Sequence, residues 1–86
     1  MSEPDYIRAH KNCSLNRDEI LKSRLCGCFY CLRIFAPAEV VDWVDEKGGM
    51  GATALCPMCG IDSVIGSASG FPITEDFLER MNEHWF

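Results

Sequence analysis

The sequence predicts a small α+β module, and three observations carry that fold class. The chain has 86 residues, enough for one domain, residues 1–86, with a modest core. Two Cys-x-x-Cys pairs, Cys28-Phe29-Tyr30-Cys31 and Cys56-Pro57-Met58-Cys59, stand far apart in it, with residues 32–55 between them. Around the pairs lie short stretches of strand and helix character, with two or three short helices in all. Domains of this size commonly need a staple beyond their core, and six cysteines (Cys13, Cys26, Cys28, Cys31, Cys56, Cys59) can supply one.

Residues 1–15 are polar, charged and without periodicity, and a loosely ordered segment is expected there. Asn16 followed by Glu19 reads as a capping box with Asn in the usual Ser/Thr position. It opens a helix of about residues 17–24, with Ile20 and Leu21 as its apolar face. After the first cysteine pair, Leu32 to Phe35 fits a short strand. Pro37 suits the first position of a helix, where its missing N–H has no partner anyway. Val40, Trp43 and Val44 share one helical face, and Lys47 with Gly48 reads as its stop. The same stretch also alternates, so helix is the preferred reading and strand the second. The segment 48–52, GGMGA, reads as a flexible turn. TALCPMCG reads as a strand running into the second pair, and IDSVIG as a further strand or an irregular turn. GSASGFP is loop chemistry. Thr74 then caps a helix with Glu75 and Asp76 in its first turn, where the helix dipole favours acids. Phe77, Leu78, Met81 and Trp85 line one face of it.

Thirteen acidic residues against eight basic ones give a formal charge of −5. Basic residues are scattered, mostly in the N-terminal third, and read as solvated surface rather than as a nucleic-acid footprint. No segment approaches the ~20 apolar residues of a membrane span. The N-terminal residues lack the apolar run of a signal peptide. The expected compartment is therefore the cytoplasm, where thiols stay reduced and clustered cysteines serve as metal ligands or redox centres.

Two residues between thiolates let a tight turn aim both sulfurs at one ion, with turn N–H groups donating to them. Two such turns make a tetrahedron of sulfurs suited to zinc, and Cys28, Cys31, Cys56 and Cys59 are the expected metal ligands. Gly60 can take the positive φ that closes the second turn. Leu32, at the matching place, lacks that freedom, so a less regular first turn is expected. Cys26 could replace Cys28, but the two-residue gap favours Cys28 and leaves Cys26 a spare thiol. His10 and Cys13 form a looser pair that could join Cys26, although a second site there lacks a fourth donor. Neither cysteine pair sits in the strand-then-long-helix setting of a thioredoxin-type dithiol.

Four thiolates fill a zinc coordination shell, whereas a catalytic zinc keeps a position open. The H-x-E and P-C-x-x-C signature of zinc deaminases is missing, as are a phosphate loop and a serine elbow. Asp62 reads as a turn-orienting group rather than a catalytic one. The sequence thus points away from an enzyme.

At these residues the chain resembles a zinc-ribbon or rubredoxin-like double-knuckle module. CPMCG matches the second knuckle of rubredoxins, C-P-x-C-G, while CFYCLRIF departs from the first by lacking the glycine after its second cysteine. From about Ile20 to Phe86 the chain further resembles small uncharacterised bacterial cytoplasmic zinc-binding proteins carrying CGCFYC…F…W…TALCPxCGIDSVIG. That resemblance implies a bacterial, cytoplasmic, metal-binding protein and brings no activity with it. The expected function is a structural zinc site in an interaction or regulatory module. The alternatives are a nucleic-acid-binding ribbon, with Phe29, Tyr30 and Arg33 near the knuckle, and an iron–tetrathiolate electron carrier. Trp85 and Phe86 are expected to close the core or, failing that, to form a patch for a homodimer or protein partner.

Overall fold

The computed structural model describes residues 4–86. Its centre is a three-stranded antiparallel sheet in the order β2-β1-β5, built from β1 (Cys26–Cys28), β2 (Ile34–Phe35) and β5 (Val64–Gly66). Cys26 stands opposite both Phe35 and Gly66, and Cys28 stands opposite Val64. Side chains alternate across a strand. Cys26, Cys28, Phe35 and Val64 accordingly join one core cluster, with Ile20, Val40, Ala54 and Cys56. Phe29 and Ile65 join the other, with Ala9, Cys13, Phe77, Leu78 and Met81. Each face of this small sheet thus carries its own core.

The C-terminal helix α3 (Glu75–Trp85) covers the second cluster. It forms as the sequence predicts, with the Thr74 hydroxyl accepting from the Phe77 N–H at 3.2 Å. Phe77, Leu78 and Met81 are buried along one face. The helix comes close because β1 has glycine at position 27, where a Cβ would lie 2.7 Å from Leu78 Cδ1. Residues 1–3 of the segment expected to be loosely ordered lie outside the described residues. From Asp5 the chain instead makes helical turns, α1 (Asp5–Arg8) and a 3₁₀ turn Ala9–Cys13. Burial of Ala9 and Cys13 under β5 and α3 supplies the order that the polar composition did not announce.

Helix α2 (Arg17–Lys22) is one to two turns long and buries Ile20. The capping box expected at its start is absent. The Asn16 side chain makes no cap bond, and the Glu19 carboxylate accepts from Asn12 Nδ2 at 2.9 and 3.1 Å. Asn16 is buried and used elsewhere.

The largest departure concerns residues 37–47. Pro37 begins only a 3₁₀ turn, Pro37–Glu39, closed by the Ala36 N–H donating to Glu39 Oε2 at 2.8 Å. The chain then runs extended into β3 (Trp43–Lys47), which pairs with β4 (Met50–Ala54) from Lys47↔Met50 to Trp43↔Ala54. Gly48 and Gly49, with φ of 59° and 86°, form the two-residue connection. Paired positive-φ residues are the signature of a hairpin turn whose twist matches the strands. The Gly48 that reads as a helix stop is the first half of that turn. β-branched Val40, Val41 and Val44 favour the extended state, and Trp43 packs on the first core cluster. The Arg17 guanidinium lies 4.7 Å from the Trp43 ring centroid, while its Nη1 donates to the Gly51 carbonyl at 2.8 Å. No helix among the described residues is long and apolar enough to cross a membrane.

Candidate metal centre

The first Cys-x-x-Cys forms the turn between β1 and β2. The second lies between β4 and β5. Antiparallel pairing of β1 with β5 brings one turn against the other, and the Phe29 N–H donates to the Ser63 carbonyl at 3.0 Å where they meet.

The two turns repeat each other in three hydrogen bonds. In the first, the Leu32 N–H donates to the Cys28 carbonyl at 2.9 Å and the Cys28 N–H to the Arg33 carbonyl at 3.0 Å. In the second, the Gly60 N–H donates to the Cys56 carbonyl at 2.9 Å and the Cys56 N–H to the Ile61 carbonyl at 2.9 Å. The Tyr30 N–H points to Cys28 Sγ at 3.4 Å, and the Met58 N–H to Cys56 Sγ at 3.3 Å. Gly60 has φ of 78°, as its glycine predicts. Leu32 has φ of 63° and closes the first turn in the same way. The less regular first turn expected from that leucine is therefore not found. A non-glycine residue in this region costs about 1–2 kcal/mol, which the turn's hydrogen bonds and packing of half-buried Leu32 on the second core cluster offset.

Cys28, Cys31, Cys56 and Cys59 place their sulfurs within 4.8 Å of one another. Two contacts of 3.6 Å join them, Cys28 to Cys59 and Cys31 to Cys56, and both run between turns. All six cysteines are free thiols. A tetrahedron with metal–sulfur bonds of about 2.3 Å has sulfur–sulfur edges of about 3.8 Å. The spacing of these sulfurs fits a single thiolate-bound ion.

The surroundings treat the four sulfurs differently. Cys28 and Cys56 are buried, while Cys31 and Cys59 are half-buried. The buried sulfurs are hydrogen-bonded within the protein. Besides Tyr30, Cys28 contacts the Ser63 hydroxyl at 3.1 Å, and Cys56 also receives the Cys59 N–H at 3.5 Å. Burial pushes the Cys59 thiol up to about 12, and Cys28 and Cys56 beside it add to the rise. Burial likewise raises Cys31. Burial would raise Cys56 as well, but the N–H groups of Cys59 and Met58 bring it below its ordinary value. Cys56 therefore ionises ahead of Cys31 and Cys59, and a bound cation would displace the remaining protons.

Cys26 stays outside the cluster. It is wholly buried in β1, and burial pushes its thiol up to about 11, so it is protonated at neutral pH. The second grouping considered from sequence does not assemble. Cys13 and Cys26 belong to different cores, and His10 stacks on Trp85 with ring centroids 3.9 Å apart. Asp62 is exposed, and the side chain that reaches the first turn is that of Ser63.

Two positioning residues carried no sequence signal for this role. Ser63 is one. Asn16 is the other: its Nδ2 donates to the Val64 and Asn12 carbonyls, each at 2.9 Å, and its Oδ1 accepts from the Ala54 N–H at 3.1 Å. It ties the end of β4 to the start of β5, the two strands that flank the second turn.

Trp85 and Phe86 are 38% and 58% exposed, so neither closes the core completely. Phe86 packs edge-on against Tyr30 at 4.8 Å, beside the first turn. Comparisons of the chain with protein-family models, with curated proteins and with solved structures returned no match.

Proposed function

We propose that Cys28, Cys31, Cys56 and Cys59 hold one zinc ion that staples this fold, in a zinc-ribbon-like interaction or regulatory module with no catalytic activity of its own. The carrying observation is the pair of matching turns whose four sulfurs converge within 4.8 Å of one another. Thiolates are soft ligands, and an all-sulfur tetrahedron suits zinc or iron. When bound, the ion supplies a cross-link between the β1–β2 turn and the β4–β5 connection. The protein's own part is to aim the sulfurs and to solvate their charge through the Tyr30, Met58 and Cys59 N–H groups and the Ser63 hydroxyl.

Elemental analysis of the purified protein tests this directly, and one zinc per chain is expected. Exhaustive chelation is expected to abolish the near-ultraviolet signal of the aromatic side chains, because ion binding and folding are coupled. A chain that remains folded and metal-free after chelation overturns the structural role. A red preparation that bleaches on reduction assigns the site to iron and to electron transfer.

The interaction role is supported by exposed Tyr30, Met58 and Phe86 around the two turns. A protein partner or a second copy is the expected occupant, and light scattering with and without residues 85 and 86 tests for the second copy. With a formal charge of −5, no shift is expected in a low-salt titration with nucleic acid.

A further inference from the structure

Each sulfur–sulfur contact at the metal centre pairs one buried thiol with one half-exposed thiol. Cys59, the more exposed and so the outward member, touches buried Cys28, and Cys31, likewise the outward member, touches buried Cys56. Both of these contacts run between the two turns, although the within-turn neighbours Cys28–Cys31 and Cys56–Cys59 also lie inside the 4.8 Å cluster. Cys31 and Cys59 keep part of their surface open to solvent, and Tyr30 and Met58, next to them in the chain, are exposed.

We infer that the centre is a hydroperoxide-responsive switch, in which oxidation forms the disulfides Cys28–Cys59 and Cys31–Cys56 and releases the ion. This inference rests on the proposed zinc site. The outward thiolate attacks one peroxide oxygen, the O–O bond breaks, and a sulfenic acid and hydroxide result. The buried thiolate of the same contact then attacks the sulfenic sulfur, forming the S–S bond and expelling a second hydroxide. Each pair gives two electrons to one peroxide. Four thiolates therefore consume two equivalents, yield two disulfides and four hydroxides, and leave no thiolate on the ion. The roles are set by access, since peroxide reaches the outward sulfur and the buried one lies 3.6 Å away, ready to resolve it. The outcome is also structural. Bonds between turns replace the ion's cross-link, so the oxidised chain stays tied where a chelated chain comes apart. Disulfides within each Cys-x-x-Cys would leave the turns unlinked. Cys13 and Cys26 are buried outside the cluster and remain thiols.

The test treats the full-length zinc-loaded protein with hydrogen peroxide, after its zinc content has been measured. A chromogenic chelator reads zinc release, and tryptic mapping without reduction reads connectivity. Cys28 and Cys31 share the tryptic peptide 25–33, and Cys56 and Cys59 share the peptide 48–80. Bonds between turns therefore join the two peptides, whereas bonds within turns leave them separate. Cleavage at Met58 and between Cys28 and Cys31 then assigns the partners. Release of the full zinc complement per two equivalents of peroxide, joined peptides paired 28–59 and 31–56, and recovery of zinc binding on reduction are expected. Zinc retained under excess peroxide, separate peptides, or pairing 28–56 with 31–59 overturns the inference while leaving the zinc site standing. A chain that takes up no zinc before peroxide is added overturns the site and the switch together.

Discussion

Replacing Asn16 by alanine removes one side chain that holds two strands. The N–H of Ala54 and the carbonyl of Val64 lose their partner, and both residues are fully buried. A buried backbone group left unpaired costs about 1–3 kcal/mol, which puts the two together at about 2–6 kcal/mol. The Asn12 carbonyl is partly exposed and rehydrates at little cost. Against the ~5–15 kcal/mol that stabilises an ordinary domain, this is a large fraction for a chain of this size. Urea unfolding at fixed free zinc reads the difference, since a bound metal would itself shift stability by mass action. Asn12→Ala is the control. It loses only the part-buried bond to Glu19 and should cost about 1 kcal/mol or less. Asn16→Asp sharpens the test, because it retains an acceptor for Ala54 but sets a carboxylate against two carbonyl oxygens. At neutral pH it should be at least as destabilising as alanine. Were Asn16→Ala to cost no more than Asn12→Ala, the clip between β4 and β5 would be decorative and the reasoning refuted.

Cys31→Ser should abolish stoichiometric zinc binding, whereas Cys26→Ala should retain one zinc per chain and lose about 1 kcal/mol of buried sulfur contact, as read by elemental analysis and urea melts. Gly60→Ala meets no atom within 4 Å of the added Cβ, so its expected cost is the left-handed backbone alone, about 1–2 kcal/mol by chemical denaturation. Burial raises the Cys13 thiol above its ordinary 9.0, with Asp62 adding to the rise. A thiol whose folded pKa is raised stabilises the fold fully below its unfolded value, and that contribution is lost as pH rises through the folded one. Cys13→Ala should therefore flatten the alkaline loss of stability above about pH 9, followed as urea midpoints against pH.

The elements legible in the sequence are those whose signal is local. Thr74, the acids behind it and the Phe77–Leu78–Met81 spacing specify α3 without reference to the rest of the chain. The hairpin of β3 and β4 was illegible for a definable reason. Pro37, Val40, Trp43 and Val44 satisfy a helical face as well as an alternating one. The deciding feature is that Gly48 and Gly49 act as a pair with positive φ, not as a stop and a spacer. Asn16 misled in the same manner. A buried polar side chain with partners 38 and 48 residues away looks, along the chain, like a cap. Order in residues 5–13 likewise comes from contacts with β5 and α3 and leaves no trace in local composition.

The choice between Cys26 and Cys28 shows how spacing and structure answer different parts of one question. Both lie on the same face of β1, because side chains two apart in a strand point the same way. Facing therefore cannot separate them, and the sequence argument had only the matching two-residue gap. Position along the strand separates them physically. Two residues of strand span about 6.6 Å, so a sulfur at 26 that faces the same core as 28 is set back from the turn by more than the width of the sulfur cluster. There it meets Phe35 and Gly66 across the sheet rather than Cys56 and Cys59. Cys28 is the last residue of β1, where the chain turns and the Tyr30 N–H reaches its sulfur. The equivalent place in the second turn is Cys56, two residues past the end of β4, with the Met58 N–H in the same relation. A thiol serves this centre only where the backbone is already turning around it, and for that reason the Cys-x-x-Cys gap, rather than the density of cysteines, was the informative signal.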